Sequence, residues 1–244
     1  MKPSVSIIVP AYQEAGNITD ALAGVLRAAS SLFLVGYEVI VVDDGSTDST
    51  AEQARIWAEY RPHVRVISHE TNLGLRAAYE TGLKFAQYEY ATWVPGDGEM
   101  ASESIAEILR AVGTADIVVP YHGTPWNRPW FRRLLTWGST QQLNVLLGRD
   151  LRYFQGTVVY PTALARRLPR TESGFFFAAE MLSWALEEGC TYVEVPLVHR
   201  ERRHGVSKAV GLKAIWRAQM LILRLAFRIH AERMALVAKG MLIG

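Results

Sequence analysis

The chain has 244 residues, half of them apolar and a fifth charged, with a formal net charge of +2. That is an ordinary globular composition, long enough for one large core or for a domain with an appendage. The single cysteine, Cys190, excludes an intrachain disulfide and fits a reducing compartment, and so small a net charge argues against general nucleic-acid binding.

The N-terminus runs almost directly into a strand, Val5 to Pro10, so no secretory signal is read there. No run approaches the roughly 18 apolar residues of a spanning helix. The expectation is a cytoplasmic chain that does not cross a membrane and is free to lie against one. After Ala11-Tyr12-Gln13-Glu14, Asn17 and Thr19 offer caps for a helix to about Leu34. Val39 to Val42 is a β-branched run that stops at Asp43-Asp44-Gly45-Ser46, which reads as a buried parallel strand and its turn. A helix over about 48–60, a strand from Val64 to Ile67 and a helix opened by Asn72-Leu73-Gly74 follow. Ala77, Ala78, Gly82 and Ala86 give that helix a small-residue face for close packing on a sheet. Tyr90 to Val94 is a fourth strand, stopped by Pro95-Gly96-Asp97-Gly98. A helix over about 102–112 and a strand from Asp116 to Val119 complete the regular part. Strands and helices alternating at this spacing predict an α/β fold: a mostly parallel sheet with helices on both faces.

The second half is less regular. A polar and aromatic loop over 121–130 leads to a helix over about 131–147, a strand from Thr157 to Tyr160, a helix over about 175–188 and a strand from Tyr192 to Val195. From about 207 the pattern is helical almost to the end. Residues 1–205 read as one catalytic-type domain and 206–244 as a basic amphipathic segment. In that segment Lys213, Arg217, Arg224 and Arg228 share one face, and Leu212, Ile215, Trp216, Ile222, Leu223, Ala226 and Phe227 share another.

Glu14, the Asp43-Asp44 pair, and Asp97 with Glu99 each follow a strand. In a parallel sheet such turns lie along one rim, where carboxylates are costly together unless a cation joins them. Mg²⁺ or Mn²⁺ with a phosphate partner is the natural occupant. There is no G-x-G-x-x-G after the first strand and no G-x-x-x-x-G-K-[ST] loop, which argues against a dinucleotide-binding dehydrogenase.

Ser6-Ile-Ile-Val-Pro-Ala-Tyr-Gln-Glu14, Val41-Val-Asp-Asp-Gly-Ser-Thr-Asp48, Asn72-Leu-Gly-Leu75, Gly174-Phe-Phe-Phe-Ala-Ala-Glu180 with Glu194-Val-Pro196, and Arg202-Arg-His-Gly-Val-Ser-Lys208 occur in this order. The set resembles family 2 glycosyltransferases of the GT-A fold, and within them the dolichol-phosphate mannose synthase branch. The resemblance covers roughly residues 4–215. It implies a nucleotide pocket lined by Pro10, Tyr12, Glu14, Val42, Asp44, Gly96 and Asp97. It implies a metal held by Asp97 and Glu99, with Asp97 and Arg202 as catalytic residues. Donor or acceptor phosphate would be met by Arg128, Arg132, Arg133, Arg202 and Lys208. Glu180 would either face the acceptor or sit as a helix-surface carboxylate. One position departs from the family's Asp-x-Asp: Pro95 stands where the first acid would be, and Glu99 partly restores the charge.

The resemblance further implies an inverting transfer from a nucleotide-diphospho-sugar, of GDP-mannose or UDP-glucose type, to a polyprenyl phosphate. The alternatives are a soluble or cell-envelope glycan acceptor, and a non-catalytic nucleotide-sugar binding protein. Trp126, Trp130 and Trp137 fall among arginines and Phe131, a mixture suited to a membrane interface. Membrane lipid, a separate membrane-anchor protein and a second copy of the chain are the candidate partners besides substrate.

Overall fold

The computed structural model describes residues 3–32, 34–123, 130–198, 219–220, 222–231 and 234, with only the backbone for 130–132. The expected boundary near 206 lies outside the described residues. A central sheet of five strands has the order β3-β2-β1-β4-β6. Its members are β1 (Ser4–Ala11), β2 (Gly36–Asp43), β3 (Val64–Ser68), β4 (Tyr90–Trp93) and β6 (Tyr160–Pro161). β1 pairs in parallel with β2 and β4, and β2 with β3; β6 alone runs antiparallel, against β4.

Both faces are covered, so β1 and β2 can be apolar without alternation. Val5, Ile7, Ile8 and Val9 of β1 and Val39 to Val42 of β2 are fully buried. One face carries α1 (Ile18–Ser30), α2 (Thr50–Glu59) and α4 (Ser102–Arg110). α1 sets Ile18, Leu22, Val25 and Ala29 inward at helical spacing, and α4 does the same with Ile105, Ile108 and Leu109. The other face carries α3 (Leu75–Phe85), α5 (Trp130–Leu147), α6 (Thr162–Arg167) and α7 (Phe176–Glu187). The small-residue face expected of α3 does set its distance to the sheet, because a Cβ at Gly82 would come within 2.4 Å of the Ile8 side chain.

The mostly parallel central sheet is as expected, and three details differ. β5 (Ile117–His122) leaves the main sheet and pairs in parallel with β7 (Tyr192–Leu197) as a second, two-stranded sheet. The segment expected as a strand from Thr157 serves both sheets: Val159 bonds Val118 in both directions at 3.0 and 3.1 Å, and Tyr160 and Pro161 pair with β4. α1 stops at Ser30, and its Asn17 makes no side-chain cap; the Asn17 amide donates instead to Glu14 Oε2 at 2.6 Å.

The C-terminal residues 222–231 are helical, and Leu225 and Ile229 join the core that contains Phe177 and Leu182. The two expected faces are therefore divided differently. Leu223 and Phe227 point to solvent, while Arg228 turns toward buried Glu180.

Candidate active site

The chain leaves β1 to one side through β2 and β3, then returns to its other side as β4. Such a reversal opens a crevice at the carboxyl ends of the strands. Tyr12 to Glu14 follow β1, Asp43 to Ser46 end β2, and Pro95 to Glu99 follow β4, so the three acidic turns share one rim as the sequence predicts.

The first two turns are zipped together by hydroxyls. Ser46 Oγ accepts from the Gln13 amide at 3.0 Å, Thr47 Oγ1 from Gln13 Nε2 at 2.7 Å, and Thr50 Oγ1 from the Glu14 amide at 2.8 Å. Asp48 accepts from the amides of Ala15 and Thr50 at 3.2 and 3.0 Å. Partial burial pushes the Asp48 carboxyl up, and the hydrogen bonds from Thr50 and Ala15 more than offset it, leaving the group below its ordinary value. Gln13 is held at φ 58°, a conformation unusual for a side-chain-bearing residue, and the zipper supplies the compensation. Tyr12 beside it is exposed on the rim.

Asp44 is 3% exposed and saturated with donors. Its Oδ1 accepts from the Leu73 amide at 2.9 Å and meets His69 Nδ1 at 2.7 Å, and its Oδ2 accepts from the Gly74 amide at 2.7 Å. His69 is anchored in turn by Thr81 Oγ1 at 2.9 Å from its Nε2. Gly45, at φ +71°, is pressed against the Thr71–Asn72 backbone, where a Cβ would fall 2.4 Å from a carbonyl carbon. Asp44 thus ties the end of β2 to the start of α3, and the two motifs that contain these residues form one piece of scaffold. Val42, assigned to the pocket with it, is wholly buried in the core. Sequence reasoning missed His69, Thr50 and Thr81. The only signal was the density of hydroxyl residues after Asp44.

The third turn leans on the first. Val94 and Gly96 donate to the carbonyls of Ile8 and Pro10 at 2.8 and 3.0 Å. The position between them has no strand partner to bond, so proline costs nothing at 95. Gly96 lies where a Cβ would touch Ala11, Ile18 and the Pro10 carbonyl. Asp97 Oδ1 accepts from the Glu99 amide at 3.1 Å, closing a turn that passes through Gly98 at φ +71°. Asp97 and Glu99 are half-buried there. Among the described residues no group of three or more His, Cys, Asp or Glu side chains could hold a metal alone. The turn offers two carboxylates, which suits Mg²⁺ or Mn²⁺ completed by substrate phosphates and water.

On the far side of the crevice, Trp93 stacks near Phe175 and Phe177, with ring centroids 5.9 Å away in each case. Thr157 Oγ1 lies 3.9 Å from Met100 Sδ, next to the acidic turn. A cleft between α5, α7 and the C-terminal helix is lined by Gln155, Ser139, Leu143, Phe176, Ile222 and Leu225. Glu172, Glu180 and Arg228 also line it. Glu180 is 2% exposed, which rules out the helix-surface carboxylate, the second of its two sequence readings. Burial and the neighbouring Glu180 charge push the Glu172 carboxyl up, against Arg224 and Arg228.

Of the phosphate-binding candidates, Arg133 is exposed on α5. Arg128, Arg202 and Lys208, and the side chain of Arg132, lie outside the described residues. β7 ends against α4, where Val198 bonds Ser104 Oγ through its amide at 2.9 Å and its carbonyl at 3.3 Å.

The model of glycosyl transferase family 2 matches residues 6–167. Undecaprenyl-phosphate mannosyltransferase of Micrococcus luteus is 32% identical over 218 residues, covering 85% of this chain and 88% of that one. Polyprenol monophosphomannose synthase of Mycolicibacterium smegmatis is 29% identical, covering 84% and 80%. Among solved structures, glucosyl-3-phosphoglycerate synthase from Mycobacterium tuberculosis, in complex with Mn²⁺, UDP and phosphoglyceric acid, superposes with a TM-score of 0.68 at 15% identity, covering 92% of this chain and 78% of that one. S. aureus TarS in complex with UDP-GlcNAc gives 0.62 at 20% identity, covering 92% and 66%. At these identities the two structures show the fold.

Proposed function

The chain belongs to glycosyltransferase family 2, and from that premise we propose that it transfers a sugar from a nucleoside-diphosphate donor to a polyprenyl phosphate. The observation that carries the reading is the single rim of Glu14, Asp97 and Glu99 at the switch point of the sheet, in a chain whose relatives over most of its length are named for polyprenyl-phosphate acceptors.

Asp97 and Glu99 would hold a divalent cation, which when bound would supply Lewis-acid neutralisation of the leaving group's charge. Tyr12 offers its exposed ring to the base, and the Gln13–Glu14 backbone, fixed by Ser46 and Thr50, shapes the ribose side. Asp44 acts one layer back, holding the turn in place. Arg202 and Lys208 add positive charge to the diphosphate. The acceptor phosphate is already ionised near neutral pH and needs cations to place it more than a base to activate it; Arg128, Arg132 and Arg133 supply them.

The acceptor's membrane supplies the second partner. Trp137 is 62% exposed and Phe227 is 75% exposed, with Leu134, Val145 and Leu223 also outward. Arginines accompany these apolar groups on both helices, as Arg133 and Arg224. That combination favours an anionic lipid surface. No helix among the described residues is long and apolar enough to cross a membrane.

The test is a transfer assay with purified protein, Mn²⁺ or Mg²⁺, a panel of labelled nucleotide sugars and polyprenyl phosphate in detergent. Label in the organic phase with one donor, abolished by a chelator, is the expected result. Metal-dependent release of nucleoside diphosphate with no organic-phase label would replace the lipid by another acceptor.

A further inference from the structure

Glu180 is a carboxylate deep in the protein whose bonds all lead to one place. Its Oε2 accepts from the amides of Thr171 and Glu172 at 2.7 and 2.9 Å, and its Oε1 accepts from Thr171 Oγ1 at 2.8 Å. The remaining partner is Arg228 Nη1, at 2.9 Å from Oε1, which also donates to Thr171 Oγ1. Arg228 comes from the C-terminal helix, 48 residues away in sequence. A buried carboxylate needs a countercharge, and among the described residues it is Arg228, on the C-terminal helix, that pairs with Glu180. The segment it fixes, Thr171 to Gly174, leads into Phe175, whose ring lies against Trp93 beside the acidic turn. The same helix supplies Ile222 and Leu225 to the wall of the cleft that Gln155 and Phe176 also line.

We propose that Arg228 is a positioning residue for the acceptor side: its ion pair with Glu180 couples the seating of the C-terminal helix to the Thr171–Phe175 segment. Lost seating loosens the segment and opens the cleft wall together, while the donor rim, built from β1, β2 and β4, is untouched. The inference rests on the acceptor reading given above and deepens it by naming what links the C-terminal helix to that side of the crevice.

Arg228→Met keeps the aliphatic stem and removes the charge, and Arg228→Lys restores a charge. The expected result for Arg228→Met is a KM for polyprenyl phosphate raised about tenfold, the worth of one charge-assisted hydrogen bond. The KM for the sugar nucleotide stays as in the wild type, and Arg228→Lys recovers most of the loss. Amide hydrogen exchange at Thr171 and Glu172 rises in Arg228→Met alone of the two variants. An unchanged acceptor KM, or donor and acceptor constants that shift together, overturns the proposal. A wild-type protein that transfers nothing to polyprenyl phosphate would be a failure of the acceptor reading. The coupling is then judged by exchange alone, and unchanged exchange at Thr171 and Glu172 in Arg228→Met overturns it.

Discussion

The two sides of the crevice are built on different plans. On the proposed donor side, the turns after successive parallel strands brace one another: Gln13 and Glu14 by Ser46, Thr47 and Thr50, Asp44 by Leu73 and Gly74, Gly96 by Pro10. The partners are mostly backbone amides and hydroxyls. On the proposed acceptor side, one buried ion pair and a C-terminal helix brought from far along the chain do the same work. The first plan gives a preorganised site of fixed shape. The second gives a wall whose position depends on a few long-range contacts, which suits a bulky lipid substrate.

The contrast can be broken most sharply at the acidic turn. Asp97→Asn should lower transfer by roughly 10²–10³-fold while leaving the melting temperature within a degree or two, because the amide still accepts from the Glu99 backbone and only the charge is lost. Activity and thermal melting of the same preparation check this. A variant that keeps full metal-dependent activity removes Asp97 from the metal site.

Asp44→Ala tests the opposite property. It leaves the Leu73 and Gly74 amides and His69 without their acceptor in a buried place, at a cost of about 3 kcal/mol in denaturant unfolding. Gly45→Ala should cost about 2 kcal/mol for its positive φ and its contact with Thr71. Both are scaffold losses, so nucleotide affinity falls only as the folded fraction falls; a loss of affinity in fully folded Asp44→Asn would instead return Asp44 to direct contact with the nucleotide.

On the acceptor side, Phe227→Ser should leave stability almost unchanged, because the ring is already in water. It should weaken co-sedimentation with anionic vesicles by a few-fold. Unchanged sedimentation takes Phe227 out of the lipid-facing surface.

The smallest effect is expected from acid. The Asp48 carboxyl lies below its ordinary value of 3.8 in the folded protein, so it binds its proton less readily there than in the unfolded chain. Its contribution to stability is present above that ordinary value and is lost as pH falls through the folded one. Asp48→Asn should therefore lower stability slightly near neutrality, where the contribution is present, and flatten the stability–pH curve below about pH 4, where the wild type loses it. The group is largely exposed, so the change is small.

The strands and turns of the proposed donor side were legible because each is signalled by a short run of residues. A β-branched run ended by Asp43-Asp44-Gly45 announces a strand and its turn whatever surrounds it, and the rim follows once the strands are parallel. Which carboxylates point outward was not legible: Asp44 and Asp97 occupy comparable turns, and only the amides of Leu73 and Gly74, contributed by another loop, turn Asp44 inward. The departure of β5 from the main sheet was equally hidden, since Ile117 to Val119 would suit either sheet and the choice is made by Val159 and β7. On the C-terminal helix, spacing alone placed Phe227 on the apolar face and Arg228 on the basic one. The position of Glu180, invisible in a one-dimensional pattern, decides that Arg228 turns in.

β1 precedes the other strands of the sheet in the chain and is the middle strand of the finished sheet. Its first partner, β2, follows soon after, but the other edge waits for β4, with α2, β3 and α3 still to be synthesised in between. At about 5–20 residues per second, that edge stands open for on the order of several seconds on the ribosome. During that interval Ile7 and Ile8 are accessible to any other extended chain. The arrangement that puts the substrate crevice beside β1 thus also makes the newborn N-terminal third a client for chaperones, and slowing translation before Tyr90 would lower the yield of folded protein.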